Sequence, residues 1–190
     1  RNPDVRKNTP GSGFDKHALR YEARWENDLV ARELRSAMRA LLLAHVRPGV
    51  RVLDVGCGIG ADAGWLRAQG ADVLAVDASP GMVSEARRRV PGLDVEVCRA
   101  EDVARLAERG PFDVGLMDFG VLNCVELPTV AIGLAACLRP GGVAVLVPMP
   151  RIHPTWMLRE VARGRLGAAV ERLRTDARVD VEGDAVPVRY

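Results

Sequence analysis

Few folds accommodate the stretch from Val52 to Ala63, which reads Val-Leu-Asp-Val-Gly-Cys-Gly-Ile-Gly-Ala-Asp-Ala. A short apolar run collapses there into Gly56, Gly58 and Gly60 at alternate positions, the pattern of a strand ending in a tight loop that lets a ligand approach bare backbone. In doubly wound α/β sheets such a loop opens a helix, and ligands bind at the carboxyl ends of the strands near the point where strand order reverses.

The rest of the chain fits that frame. Arg51 to Val55, Asp72 to Val76, Leu93 to Cys98, Phe112 to Asp118 and Val143 to Val147 read as five strands. Helices are expected between them. One runs from Ala61 to Gln69 and is closed by Gly70; a second starts at Ser79-Pro80, with a capping hydroxyl and a proline in the first turn. Glu101 to Arg109 is a short third, and Glu126 to Leu138 a fourth, stopped by Arg139-Pro140-Gly141-Gly142. Apolar strands alternating with helices predict an α/β fold, a doubly wound and mostly parallel sheet covered on both faces.

Outside this core the signals are simpler. Residues 1–14 hold Pro3, Pro10, Gly11 and Gly13 and predict a loose leader, whereas Asp15 to Val46 is helical, with Leu29, Leu34, Met38, Leu41 and Leu42 as its apolar stripe and Pro48-Gly49 as its end. Thr155 to Arg174 reads as helix interrupted at Gly164 and Gly167. Val179 to Val181 and Val186 to Val188 read as a hairpin around Glu182-Gly183-Asp184.

Charge and cysteine usage narrow the partners. With 27 basic and 25 acidic residues the net charge is +2, too small for a field that recruits nucleic acid, and no strand face is rich in aromatics. Cys57, Cys98, Cys124 and Cys137 are far apart, and His17, His45 and His153 lack ligand spacing, so no metal and a reducing, cytoplasmic setting are expected. No apolar run reaches the roughly 18 to 20 residues that span a bilayer, which predicts no membrane partner. The arginines at 159, 163, 165, 172, 174 and 178 read as a solvated face, the sharper alternative being an anchor for a phosphate-bearing acceptor.

Glycine spacing alone admits two cofactors. Gly56 to Ala61 also satisfies the dinucleotide pattern Gly-x-Gly-x-x-Gly/Ala. Asp54, two residues before the first glycine, argues against it: a carboxylate repels a pyrophosphate but accepts an ammonium. The Asp54-to-Gly60 stretch resembles the first motif of class I S-adenosylmethionine-dependent methyltransferases, and Val73 to Met82 is similar to the second.

The resemblance covers roughly residues 14 to 150 and implies a Rossmann-like fold, S-adenosylmethionine as cofactor and a role for each matching residue. Asp54, Gly56, Cys57, Gly58 and Gly60 would form the cofactor loop, with Asp77 on the two ribose hydroxyls beside Ala78 and Met82. Ala100, Glu101 and Asp102 look like the adenine-edge segment. Asp118, Phe119 and Asn123 lie in a stretch that matches the loop bordering the sulfonium and the methyl acceptor, and Arg139-Pro140-Gly141-Gly142 the turn before strand five. Phe14 to Glu22 resembles a helical lid whose tyrosine, here Tyr21, reaches the cofactor's carboxylate. On that frame residues 1–48 are leader and lid, 49–150 the cofactor-binding core and 151–190 a helical extension of one globular domain. Members finish the sheet with two further strands, so either the chain is truncated with those strands missing, or the weak Val179 and Val186 segments supply them.

His17, Tyr21, Asn123 and His153 are the candidates for a general base or for positioning the acceptor, each with a structural role as its equal alternative. Asp118-Phe119-Gly120-Val121 lacks the Asp/Asn-Pro-Pro-Tyr/Phe signature of nucleic-acid amino methylation, and no Pro-Cys nucleophile follows. The expected acceptor is a small molecule, methylated on oxygen, nitrogen or carbon. Two other readings stay open: a NAD(P)-dependent oxidoreductase on a similar sheet, and a non-catalytic module that binds S-adenosylmethionine.

Overall fold

The computed structural model describes residues 29–149, 154–167, 176–181 and 184–189. Helix α1 spans Leu29–Leu43, followed by β1 (Arg51–Val55), α2 (Ala61–Ala68), β2 (Asp72–Asp77), α3 (Pro80–Arg89) and β3 (Asp94–Val97). A 3-10 helix at Ala100–Arg109, β4 (Phe112–Met117), a 3-10 turn at Val121–Asn123, α4 (Leu127–Cys137) and β5 (Leu138–Leu146) complete the core, with α5 (Pro154–Ala162), β6 (Asp176–Val181) and β7 (Asp184–Arg189) after it. All five core strands are parallel in the order β3-β2-β1-β4-β5. Strand order therefore reverses between β1 and β4, beside the glycine loop.

Alternation along the strands sorts the core into two faces. Val52, Val73, Ala75, Val114 and Leu116 pack with Met38 and Leu42 of α1, Ala63 and Leu66 of α2, and Val83 and Ala86 of α3. Leu53, Val55, Leu74, Val76 and Met117 pack on the opposite face with Val103 and Leu106 of the 3-10 helix and Val130, Leu134 and Cys137 of α4. The same period carries Asp54, Asp77 and Asp118 to the first face, at the carboxyl ends of β1, β2 and β4. Sequence alternation thus places three acids at one end of one face before any of them makes a contact.

Three expectations need correction. The stripe of α1 is narrower than its leucines imply, since Met38 and Leu42 are buried while Leu29, Leu34 and Leu41 are exposed. At 100° per residue, Arg35, Met38, Arg39 and Leu42 share the inward face. Second, Arg139-Pro140-Gly141-Gly142 does not precede β5 but lies inside it as a bulge: Phe112 pairs with Leu138, and Val114 already with Val143. Arg139 Nε holds that bulge to Asp113 Oδ1 at 2.6 Å. Third, Glu101 to Arg109 is wound as a 3-10 helix that begins at Ala100.

The expected hairpin forms, with β6 antiparallel to β7 in a sheet of its own that does not extend the five-stranded one. Its turn residues Glu182 and Gly183 lie outside the described residues. Three of the C-terminal arginines are engaged rather than only solvated: Arg159, Arg163 and Arg165 gather around the buried Glu160 at 3.6, 3.4 and 2.7 Å. Among the described residues no helix is long and apolar enough to cross a membrane.

Candidate cofactor site

Backbone geometry explains the glycine loop. Gly56, Gly58 and Gly60 have φ of 81°, 53° and 79°, in the left-handed region that other residues enter only at a cost. Gly56 and Cys57 both donate to the carbonyl of Val76, at 2.7 and 3.0 Å, which pins the loop to the end of β2. At Gly56 there is no room for a side chain, because a Cβ would lie 2.2 Å from Val121 Cγ2 and within 3.2 Å of that residue's Cγ1 and Cβ. A Cβ at Gly58 would meet nothing within 4 Å, so the middle of the loop faces open space.

Asp77 locks this loop to the next one. Its Oδ2 accepts from the Gly58 amide at 2.9 Å and its Oδ1 from the Ser79 amide at 2.8 Å. A carboxylate oxygen can accept more than one hydrogen bond, so these two amide bonds do not by themselves exclude a diol. Ala78 is half-buried between these contacts. Ser79 caps α3 as expected, its Oγ accepting from the Met82 amide at 3.1 Å, and the Met82 side chain is buried.

The first face of the sheet ends in a buried acidic group. Asp54 is 1% exposed, and neither of its carboxyl oxygens has a hydrogen-bond partner. Burial, with Asp62 and Asp77 nearby, holds its carboxyl well above the usual carboxylate range, and Arg35 acts in the opposite direction. Asp118 is also buried and shifted upward, mainly by burial and then by the nearby carboxyls of Asp54 and Asp62. Cys57 is pushed up by burial and by Asp54, Asp77 and Asp118, so its thiol stays neutral at physiological pH.

Sequence reasoning missed the other half of this group. Asp62, in the first turn of α2, is 6% exposed and pairs with Arg35 Nε at 3.1 Å and Arg39 Nη2 at 2.7 Å. Arg35 also stacks over Phe119 and Arg39 over Trp65, at 5.3 and 5.1 Å. The signal was present as two arginines at i, i+4 on the inward face of α1 and a single acid at the start of an otherwise apolar first turn.

The loop after β4 is the most constrained part of the site. Phe119 has a φ of 40°, unusual for a non-glycine residue, and Gly120 one of 99°. Asn123 is buried, and both ends of its amide bind one residue: Oδ1 accepts from Met149 N at 2.8 Å and Nδ2 donates to Met149 O at 3.3 Å. It clamps the segment after β5 to the loop after β4. Ala100 is buried, Glu101 pairs with Arg99 at 3.4 Å, and Asp102 is exposed. The structure therefore gathers Asp54, the glycines, Cys57, Asp77 and Asp118 at one end of the sheet. His17, Tyr21 and His153 lie outside the described residues.

A family model described as a methyltransferase domain matches residues 52–142. A demethylmenaquinone methyltransferase from Beutenbergia cavernae is 36% identical over 157 residues, which cover 80% of this chain and 61% of that protein. A malonyl-acyl-carrier-protein O-methyltransferase from Enterobacter lignolyticus is 30% identical over 185 residues, 90% of this chain and 71% of its relative. Among solved structures, SAM-bound CalS10, an amino pentose methyltransferase from Micromonospora echinaspora, matches with a TM-score of 0.55 at 27% identity, covering 71% of this chain and 57% of that one. The chain spans 61 to 63% of the length of several curated relatives that it matches. Likeness that extends well past the glycine loop, on a sheet wound in this order, settles the kinship: the chain belongs to the class I S-adenosylmethionine-dependent methyltransferase family.

Proposed function

We propose that this protein transfers a methyl group from S-adenosylmethionine to a small-molecule acceptor. The observation that carries the reading is Asp54, a carboxyl buried at the head of the glycine loop with both oxygens unpartnered. A pyrophosphate would bring only further acceptor oxygens to this carboxyl, whereas an amino-acid ammonium would supply the donors that Asp54 lacks. The pyrophosphate of the NAD(P) alternative offers no such donor. Relatives named for demethylmenaquinone and for an amino pentose support a small organic acceptor.

Each matching residue then has a task. The glycines let the loop close on the cofactor, Asp54 receives its cationic end, and Asp77 holds the ribose diol while keeping the two loops in register. Ala100 and Asp102 border the adenine. S-adenosylmethionine, when bound, supplies an electrophilic methyl whose transfer discharges the sulfonium. In-line alignment of methyl and acceptor can supply much of the rate without a dedicated base. The acceptor side falls to the loop after β4, which Asn123 holds rigid through Met149. A cytoplasmic place of action belongs to the same reading, supported by four free cysteines suited to a reducing compartment.

Labelled S-adenosylmethionine offered with panels of alcohols, amines and carbon acids tests the transfer. Label is expected in a small organic product, with S-adenosylhomocysteine formed in equal amount. Tight cofactor binding with no transfer to any panel would leave a binding module instead. Asp77→Ala is expected to weaken S-adenosylhomocysteine binding by about 1.5 to 3 kcal/mol, the range for a hydrogen bond to a charged group. Calorimetry that finds the affinity unchanged removes Asp77 from the site.

A further inference from the structure

Helix α1 meets the site through two arginines that make different contacts. Arg39 donates from Nε to Asp62 Oδ1 at 2.8 Å and from Nη2 to the Ala61 carbonyl at 3.3 Å, and its guanidinium lies over the Trp65 ring. Those three partners all belong to α2. Arg35, one turn earlier, places Nε 3.1 Å from Asp62 Oδ2 and its guanidinium carbon 5.3 Å from the centre of the Phe119 ring. Its side chain therefore bridges the start of α2 and the loop after β4.

Both ends of that bridge border the glycine loop. Asp62 sits in the first turn of the helix that Gly60 opens. Phe119 follows Asp118 just beyond β4, and two residues further on Val121 fills the space over Gly56. At a φ of 40°, Phe119 is in a backbone conformation that a bulky residue keeps only where its surroundings hold it. The ring packs against the first-face core, and the Arg35 guanidinium lies over it. A guanidinium suits this place because its edge can pair with a carboxylate while its face stacks on a ring.

From this arrangement we infer that Arg35 is a positioning residue for the cofactor site: braced on Asp62, it holds Phe119, and with it the loop after β4, in the conformation that the bound cofactor requires. The inference deepens the cofactor assignment above and rests on it. No bond to the cofactor is asked of Arg35. It acts in the free protein, where it keeps the strained loop from relaxing, so that binding does not have to restore it. Arg39 instead serves the attachment of α1 to α2.

Titration calorimetry of S-adenosylhomocysteine into the full chain and its variants, well below each melting transition, separates positioning from attachment. Arg35→Met is expected to weaken binding on the order of tenfold, because the relaxed loop must be returned to its strained form at each binding event. Arg39→Met, which loses an ion pair and a ring contact of the same kind, is expected to melt lower and to keep the wild-type affinity. Phe119→Leu should weaken binding as Arg35→Met does, and the double variant should lose no more than the weaker-binding single, since both changes remove one contact. Wild-type affinity in Arg35→Met, equal losses in Arg35→Met and Arg39→Met, or losses that multiply in the double variant would each overturn the inference and leave the cofactor assignment standing. Wild-type protein that does not bind S-adenosylhomocysteine overturns both.

Discussion

Gly56→Ala is expected to destabilise the protein by about 2 to 5 kcal/mol and to abolish cofactor binding. Two independent terms add here. A φ of 81° is left-handed, which costs an alanine about 1 to 2 kcal/mol. The new Cβ would also meet Val121 at 2.2 Å, and rotating that valine cannot relieve the clash because its Cγ1 and Cβ lie at 3.1 and 3.2 Å. Overpacking of that kind costs about 1 to 3 kcal/mol. For a chain of this size the melting temperature should fall by roughly 4 to 20 °C. The relief is as specific as the damage: adding Val121→Ala should recover much of the stability, because it removes the clashing methyl groups. A single variant that melts like the wild type would show that the loops after β1 and β4 are not interlocked.

Asp54→Asn is expected to act in two directions at once. Binding of S-adenosylhomocysteine should weaken by at least about tenfold, since a charge-assisted hydrogen bond is worth roughly 1.5 to 3 kcal/mol. Folding should become more favourable at neutral pH, because asparagine is neutral at every pH and escapes the cost of keeping a carboxyl protonated, or a carboxylate buried, there. The pH dependence gives the sign. Asp54 has a carboxyl raised above its unfolded value of about 3.9, so the stability linked to its proton is present at lower pH and is lost as pH rises above that value and through the folded one. The asparagine has no such loss. Its advantage should therefore grow from pH 4 toward neutrality, and denaturant unfolding at both ends of that range measures it. An advantage that is the same at both ends would mean that Asp54 is not held protonated by the fold.

The sheet was largely legible from the chain because its strands are apolar runs bounded by glycine and proline. β1 matches its expected limits, and β2, β3 and β4 differ by a residue at one or both ends. The capped start at Ser79-Pro80 was equally plain, because capping is local chemistry. What sequence could not reveal depends on contacts far along the chain. Pro140-Gly141-Gly142 reads as a turn in isolation, and only pairing with β4 makes it a bulge within β5. Leucines at helical spacing do not say which side of α1 meets the sheet; Arg35 and Arg39 take the inward face because Asp62 waits there. Asn123 resembles a catalytic amide in sequence, yet its partners are the backbone atoms of a residue that β5 delivers from 26 positions away. Asp54 shows the opposite case, since its place in the motif and its unsatisfied burial point to the same cation.

The central claim is that the glycine loop holds S-adenosylmethionine rather than a dinucleotide. Calorimetric titration of the full chain with S-adenosylhomocysteine and, separately, with NAD and NADP tests it most directly. Saturable binding of S-adenosylhomocysteine with a Kd on the order of micromolar, about −8 kcal/mol, and no heat from either dinucleotide is the predicted result. Saturable binding of a dinucleotide with none of S-adenosylhomocysteine would contradict it.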